Sequence, residues 1–306
     1  MKILVTGAWQ GYEECKDIIT DSGHEVVFLQ WEKDPLPCSP EWPDAIIGNG
    51  IFLHHPIEIF TNLRYIQITS AGYDRVPMEY VRKKQIKIYN ARGVYSIPMA
   101  EFAIGGILQL YKGFPTFAVS QKDHNWDKVR GIRELCNKTV CIVGCGSVGT
   151  ECAKRMKAFS CRVEGIDLYP AENDDYDQIS HINDLNTILK QADIIIMTVP
   201  LTQGTRNLLN KDRIASLKNN AVIVNIARGG VMDYEAFIEL AEKKKLSGVF
   251  DVFPEEPLPS DSPLWEMDHV IVTPHNSFQG EGNRERLNKV IMDNLNTWLI
   301  NEHTNN

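Results

Sequence analysis

Residues Thr139–Thr150 read TVCIVGCGSVGT: an apolar run with the character of a β-strand, then Gly144-Cys145-Gly146-Ser147-Val148-Gly149, then the opening of a helix. In a strand–turn–helix unit each glycine at this spacing has its own job. Gly144 permits the tight turn, Gly146 lets the backbone approach a pyrophosphate, and Gly149 lets the helix pack closely on the strand. The helix N-terminus adds unpaired N–H groups and a dipole that favours an anion. Glycine spacing alone is common in turns, and the next strand narrows the reading. That strand ends at Asp167, 18 residues after Gly149. A carboxylate there accepts hydrogen bonds from the adenosine ribose hydroxyls and repels a 2′-phosphate. Leu168–Asp177 holds four further acids and no Lys or Arg. The expected cofactor is NAD rather than NADP, held by Gly144, Gly146, Ser147, Val148, Gly149 and Asp167.

Outward from this turn the chain alternates strand and helix. Expected strands are Lys2–Thr6, Glu25–Leu29, Ala45–Ile47, Tyr65–Ile68 and Ile86–Tyr89, then Thr139–Val143, Arg162–Ile166, Asp193–Thr198, Val222–Asn225, Gly248–Phe250 and Val270–Thr273. Runs such as Ile194-Ile195-Ile196 fit strands buried on both faces, as in parallel sheets. The fold class is therefore α/β. Pro98–Tyr111 reads as a helix crossing from the first sheet to the second, with Pro98 in its first turn. A last helix spans about Asn283–Asn301, and the acidic stretch Glu172–Asp177 reads as a solvated loop.

A chain of 306 residues exceeds what one core usually holds, so two domains are expected. Hydrophobic residues make up 43% and charged residues 24% of the chain, as in ordinary globular proteins. A net charge of −8 offers no basic face for nucleic acid. No stretch approaches the roughly 18 apolar residues that span a membrane, and the apolar run in Met1–Gly7 is too short for a signal peptide. A cytoplasmic location is expected. The seven cysteines form no C-x-x-C pair and read as reduced thiols used as small apolar residues, with no metal site.

Three segments fall at the C-terminal ends of the later strands, where open α/β sheets bind ligands: VNIARGGVMD (Val224–Asp233), GVFDVFPEEP (Gly248–Pro257) and VTPHN (Val272–Asn276). Reduction of a 2-keto acid needs a cation to hold the carboxylate and polarise the ketone, which a guanidinium fork does well. It needs an acid for the developing alkoxide, and histidine suits neutral pH. A carboxylate beside that histidine orients it and stabilises its protonated form. Arg228, His275 and Glu256 supply these parts. Singly they read as a capping Arg, a core His and a surface Glu; together, beside a dinucleotide motif, they read as a catalytic set.

These segments resemble the D-isomer-specific 2-hydroxyacid dehydrogenase family from about Tyr65 to Leu287. Asn225–Val231 is similar to its arginine signature, Asp251-Val252-Phe253 through Glu256-Pro257 to its glutamate signature, and Pro263-Leu264-Trp265 leading to Thr273-Pro274-His275 to its histidine signature. Thr198–Thr202 with Thr205 resembles the segment that lines the cofactor. The resemblance implies two Rossmann-like domains with parallel sheets, the NAD domain (98–279) inserted into a substrate domain (1–97 and 280–306), and usually a homodimer. It implies cofactor contacts at Val199, Pro200, Thr205, Ala227 and Asp251, with Asp251 meeting the nicotinamide carboxamide. Ser70-Ala71-Gly72 resembles the loop whose N–H groups receive the substrate carboxylate, joined by Arg228 and His275; Gly72 suits close approach because it lacks a Cβ. Asn90–Ser96 resembles a cleft segment in which Tyr95 and Ser96, with Met99 just beyond it, are either ligand contacts or packing residues.

The implied activity is NAD-dependent interconversion of a 2-keto acid and a D-2-hydroxy acid, an oxidoreductase acting on a CH–OH group. Alternatives are a D-3-phosphoglycerate dehydrogenase or a non-enzymatic NAD(H)-sensing protein like the family's corepressors. The chain ends soon after its last helix, so the regulatory extension of many phosphoglycerate dehydrogenases is not expected. Arg75, Arg92 and Lys112 are possible phosphate ligands but read first as solvated charges. Trp9–Glu58 matches the family weakly and is expected to shape the substrate pocket.

Overall fold

The computed structural model describes residues 1–304. The chain runs β1 (Lys2–Thr6), α1 (Tyr12–Asp21), β2 (Glu25–Leu29), β3 (Ala45–Gly48), β4 (Tyr65–Ile68), α2 (Met78–Lys83) and β5 (Lys87–Tyr89). There follow α3 (Ser96–Lys112), α4 (Phe114–Lys122), β6 (Thr139–Val143), α5 (Ser147–Ala158), β7 (Arg162–Asp167), β8 (Gln178–His181), α6 (Leu185–Leu189), β9 (Ile194–Met197), α7 (Lys211–Ser216), β10 (Val222–Asn225), α8 (Tyr234–Lys244), β11 (Ser247–Phe250), β12 (Val270–Val272) and α9 (Asn283–Thr304). Internal packing divides them into one unit of Met1–Tyr95 with Gly280–Asn306 and a second of Ser96–Gln279. Asn305 and Asn306, the end of the expected 280–306 span, lie outside the described residues.

The first unit is built on a parallel five-stranded sheet of order β2-β1-β3-β4-β5. Successive side chains of a strand point to opposite faces, and the sequence fills both faces. Ile3 and Val5 of β1 join one core cluster, and Leu4 joins the other. From α9, Leu287, Ile291, Leu295 and Trp298 enter the first of these clusters at three- and four-residue spacing, the stripe of an amphipathic helix. Polar bonds fix its register: Trp9 Nε1 donates to Asn288 Oδ1 at 2.7 Å, and Arg286 Nε donates to Val94 O at 2.8 Å.

The second unit carries a parallel seven-stranded sheet of order β12-β11-β10-β9-β6-β7-β8. This is the doubly wound order, with its switch point between β6 and β9. Ile194 and Ile196 of β9 face one core and Ile195 and Met197 the other. The three isoleucines are 0% exposed, and burial of each contributes about 1.5–3 kcal/mol. The small residues of α3 let it lie close on the sheet: a β-carbon added at Gly106 would stand 2.6 Å from Val249 Cγ1.

The α/β class and the parallel sheets are those the sequence indicates. Some element ends shift by one to three residues, α4 is not among the expected elements, and three further details differ. β8 has no counterpart among the expected strands; QISH has no apolar run, and it forms the outer strand beside β7. Asp193 and Thr198 flank β9 instead of belonging to it, although both still donate backbone N–H to β6, at Thr139 O and Val143 O; Asp193 Oδ2 also accepts Thr139 N–H at 2.9 Å, and Thr198 turns toward the glycine loop. The Glu172–Asp177 stretch is anchored rather than simply solvated. Tyr176 within it is buried, and Asp177 accepts Val163 N–H and Lys157 Nζ, each at 2.7 Å. Among the described residues no helix is long and apolar enough to cross a membrane.

Candidate active site

The glycine turn sits at the switch point of the second unit's sheet. Gly144 has φ 101°, in the region that favours glycine, and its N–H donates to Ile166 O at 2.8 Å. Thr198 Oγ1, across from β9, donates to Gly144 O at 2.7 Å. Gly149 allows the helix–strand approach: a β-carbon there would lie 2.1 Å from Gly144 O. Gly146 is different, with nothing within 4 Å of such a carbon. Packing therefore requires the first and third glycines, while the second faces open space beside the N-terminus of α5, where an anion is favoured. Asp167 braces the turn. Its Oδ2 accepts Cys145 N–H at 2.8 Å and its Oδ1 accepts Tyr169 N–H at 3.0 Å. A carboxylate has about four acceptor positions, so capacity remains for hydroxyl donors. Ser147 and Val148 open α5 and are part-buried. Val199 and exposed Pro200 follow β9, and Thr205 Oγ1 donates to Pro200 O and accepts Thr202 N–H at 2.8 Å, closing that loop.

Arg228, Glu256 and His275 follow β10, β11 and β12, three neighbouring strands. The Arg228 segment is fixed from below by Asn225, fully buried, whose Oδ1 accepts Ala227 N–H at 3.1 Å and whose Nδ2 donates to Arg228 O at 3.1 Å. Ala227 is buried, and Arg228 Nη1 donates to its carbonyl at 2.8 Å. Gly229 puts this turn backbone-to-backbone against the glutamate segment: a β-carbon there would lie 1.9 Å from the carbonyl carbon of Phe253. Glu256 Oε1 accepts Phe253 N–H at 2.9 Å, and its Oε2 lies 2.7 Å from His275 Nδ1. An ionised carboxylate only accepts, so Nδ1 carries the proton of that bond and Nε2 is left for other chemistry. The pair is part-exposed, with 39% of the His275 side chain and 36% of Glu256 open.

Asp251, the first residue after β11, is 0% exposed. Its Oδ1 accepts Thr273 Oγ1–H at 2.7 Å and Asn276 N–H at 2.8 Å, and its Oδ2 accepts Ser277 N–H at 2.9 Å. Its own carbonyl accepts His275 N–H at 2.8 Å. These bonds hold the turn on which His275 adopts φ 51°, an uncommon conformation for a residue other than glycine.

In the first unit, the loop after β4 has its carbonyls occupied. Thr69 O accepts Tyr95 Oη–H, Ser70 O accepts Ala91 N–H at 2.9 Å, Ala71 O accepts Asn90 Nδ2 at 2.6 Å, and Gly72 O accepts Ser70 Oγ–H at 3.0 Å. Among the described residues the N–H groups of Ser70, Ala71 and Gly72 donate to nothing. Successive unpaired N–H groups form an anion-binding concavity. Tyr95 is thus a brace for this loop, and Ser96 is buried. Lys112, one of the possible phosphate ligands, instead donates to Arg133 O at 2.9 Å.

The model of the D-isomer-specific 2-hydroxyacid dehydrogenase family, NAD-binding domain, matches residues 104–277. The chain belongs to this family. The D-3-phosphoglycerate dehydrogenase of Methanocaldococcus jannaschii is 36% identical over 313 residues, covering 100% of this chain and 59% of that protein. This chain therefore spans about three-fifths of that relative's length. The hydroxypyruvate reductase of Thermotoga maritima is 36% identical over 82% of this chain and 83% of its own. Among solved structures, a D-isomer-specific 2-hydroxyacid dehydrogenase family protein from Aeromonas salmonicida has TM-score 0.83 and 25% identity, covering 98% of this chain and 96% of that one. A family member from Xanthobacter autotrophicus, solved with NADPH and MES, has TM-score 0.77 and 26% identity over 95% and 92% of the two chains.

The glycine turn of this 2-hydroxyacid dehydrogenase domain fits a dinucleotide: open space at Gly146, a helix N-terminus, and acceptor capacity on Asp167. Sequence reasoning named Thr198, Asn225 and Thr273 within motifs but not as supports of the glycine turn and the Arg–Glu–His segments, and it missed Tyr234 altogether. Their one available signal was a polar residue at the end of an apolar strand, or at a helix start. The turn also contains a thiol. Burial pushes Cys145 up to about 12, and the Asp167 carboxylate acts in the same direction. Since the thiolate is the nucleophile, iodoacetamide at pH 8 should modify exposed Cys136 and spare Cys145, as read by peptide mass spectrometry. Modification of Cys145 at the rate of Cys136 would contradict that burial.

Proposed function

We propose that this chain reduces a 2-keto acid to a D-2-hydroxy acid with NADH, and runs the reverse oxidation. The observation that carries the reading is the His275–Glu256 bond at 2.7 Å, which leaves Nε2 as the atom that can take up and deliver a proton, at the end of β12 in the sheet whose β10 leads to Arg228. NADH supplies a hydride for the ketone carbon when bound. Gly144, Gly146, Ser147, Val148, Gly149, Asp167, Val199, Pro200, Thr205 and Ala227 hold the dinucleotide, in the unit Ser96–Gln279. We assign substrate-carboxylate binding in the unit Met1–Tyr95 with Gly280–Asn306 to the N–H groups of Ser70, Ala71 and Gly72, and in the unit Ser96–Gln279 we assign substrate binding to Arg228 and His275. Arg228 also stabilises the charge that grows on the ketone oxygen. His275 Nε2 donates its proton to that oxygen, and Glu256 holds the imidazolium that precedes transfer. Asp251 acts on the His275 turn and not on the carboxamide.

A panel of glyoxylate, pyruvate, hydroxypyruvate and 3-phosphohydroxypyruvate, each with NADH and with NADPH, tests the reading. The expected result is turnover of at least one with NADH preferred, and a D product on chiral chromatography. Preference for 3-phosphohydroxypyruvate would establish the phosphoglycerate dehydrogenase alternative. NADH binding without turnover of any acid would favour a sensor. A homodimer is part of the proposal. Its support is that α4 buries none of its residues, while Phe114 is 57%, Val119 60% and the following Trp126 95% exposed, the kind of exposed apolar surface that marks protein–protein contacts. Seven free thiols support a reducing, cytoplasmic setting.

A further inference from the structure

Tyr234 opens α8, directly after the capping residue Asp233. The first residue of a helix is usually polar and turned to solvent. Here the ring is turned inward, 7% exposed, and packs on Phe250 and Phe253 at centroid distances of 5.1 and 5.6 Å. Its hydroxyl accepts Asn225 Nδ2–H at 3.0 Å and donates to Val252 O at 2.5 Å. Each of those partners leads to a different part of the site. Asn225 Nδ2 also donates to Arg228 O at 3.1 Å. Phe253, next after Val252, donates its N–H to Glu256 Oε1 at 2.9 Å, and Glu256 Oε2 holds His275 Nδ1. One phenol oxygen thus bridges the backbone that carries Arg228 and the backbone that carries Glu256, just where Gly229 brings those two backbones into contact. Burial, with the Glu256 and Asp251 carboxylates nearby, pushes the phenol up, so the hydroxyl keeps its proton and remains a donor.

We propose that Tyr234 is a positioning residue whose hydroxyl sets the Arg228 turn in register with the Glu256–His275 pair. The proposal rests on the reading of those three residues as the catalytic set. A plain core role would reside in the ring, since ring burial supplies the packing. A positioning role resides in the oxygen, and Tyr234→Phe separates the two by keeping the ring and removing the link.

The test compares Tyr234→Phe with the parent protein on the best keto acid of the panel. The expected result is a kcat lowered about tenfold, the scale of a slight misplacement of reacting groups, with the NADH dissociation constant unchanged. The isotope effect with NADH deuterated at C4 should rise, because transfer becomes slower than the other steps. In the cofactor-free protein, the low-field Nδ1–H proton resonance of His275, assigned by its loss in His275→Gln, should shift or broaden. Incorporation of 4-aminophenylalanine at 234, which still donates toward Val252 O, should restore most of kcat. A parental kcat with an unmoved resonance in Tyr234→Phe would overturn the proposal. So would a kcat loss matched by equal losses of NADH affinity and melting temperature, the mark of general loosening. If the parent reduces no keto acid, the catalytic reading fails separately, and the resonance still decides whether Tyr234 governs the His275–Glu256 bond.

Discussion

His275→Gln should lower kcat for keto-acid reduction by about 10²–10⁴-fold, the usual contribution of a positioned proton donor, with little change in NADH affinity. Glutamine retains a polar amide of similar reach but has no proton to transfer at neutral pH. The Glu256 carboxylate fixes which nitrogen of the native ring faces outward, because it accepts from Nδ1 at 2.7 Å. NADH affinity should hold because the glycine turn is built from β6, α5 and the β9 loop, with its own braces in Thr198 and Asp167. The backbone at 275 adds a control. It has φ 51°, which asparagine tolerates better than most residues. His275→Asn should therefore lose turnover equally while melting closer to the parent. Stopped-flow reduction and fluorescence titration of NADH separate the two effects. Parental turnover in either variant would remove His275 from the chemistry.

Much of this arrangement is legible in the sequence because it rests on local patterns. β9 is a run of isoleucines, which suits a strand covered on both faces, and Gly144, Gly146 and Gly149, set between an apolar strand and a helix and followed by Asp167, have the spacing of a dinucleotide-binding turn. Arg228, Glu256 and His275 stand out because each chemically demanding residue follows its own apolar strand. The supports are not legible in the same way. The Tyr234 hydroxyl meets Val252 O across 18 residues, and Asp251 meets Ser277 N–H across 26. No periodicity encodes such pairs. β8 escaped because an outer strand buries little and QISH shows no apolar alternation. The Ser70–Gly72 loop shows a further limit. Its resemblance to a carboxylate-binding loop is visible in sequence, but the bonds by which Tyr95, Ala91 and Asn90 hold its carbonyls and fix the loop are not.

Asp251 offers the second large effect, and it decides between two roles for one carboxylate. If the residue met the nicotinamide, its loss would weaken NADH binding and leave the cofactor-free protein nearly as stable as before. Its burial and its three acceptor bonds to Thr273, Asn276 and Ser277 require the opposite. Asp251→Ala strands three donors, of which Ser277 N–H is buried, and should destabilise the cofactor-free protein by at least the roughly 1–3 kcal/mol that one buried unsatisfied donor costs. Asp251→Asn is the finer probe. Whichever way its amide is turned, the NH₂ meets a backbone N–H that previously found an oxygen, so at least one bond is lost, at a cost of about 1–3 kcal/mol. Because those bonds hold the His275 turn in its left-handed conformation, kcat should fall by more than the loss of folded protein accounts for. Urea unfolding of the cofactor-free variants, with kcat and the NADH dissociation constant measured at a temperature where both remain folded, makes the distinction. An Asp251→Asn protein with parental unfolding and a raised dissociation constant for NADH would return this residue to the cofactor and leave the His275 turn to be held by its backbone bonds alone.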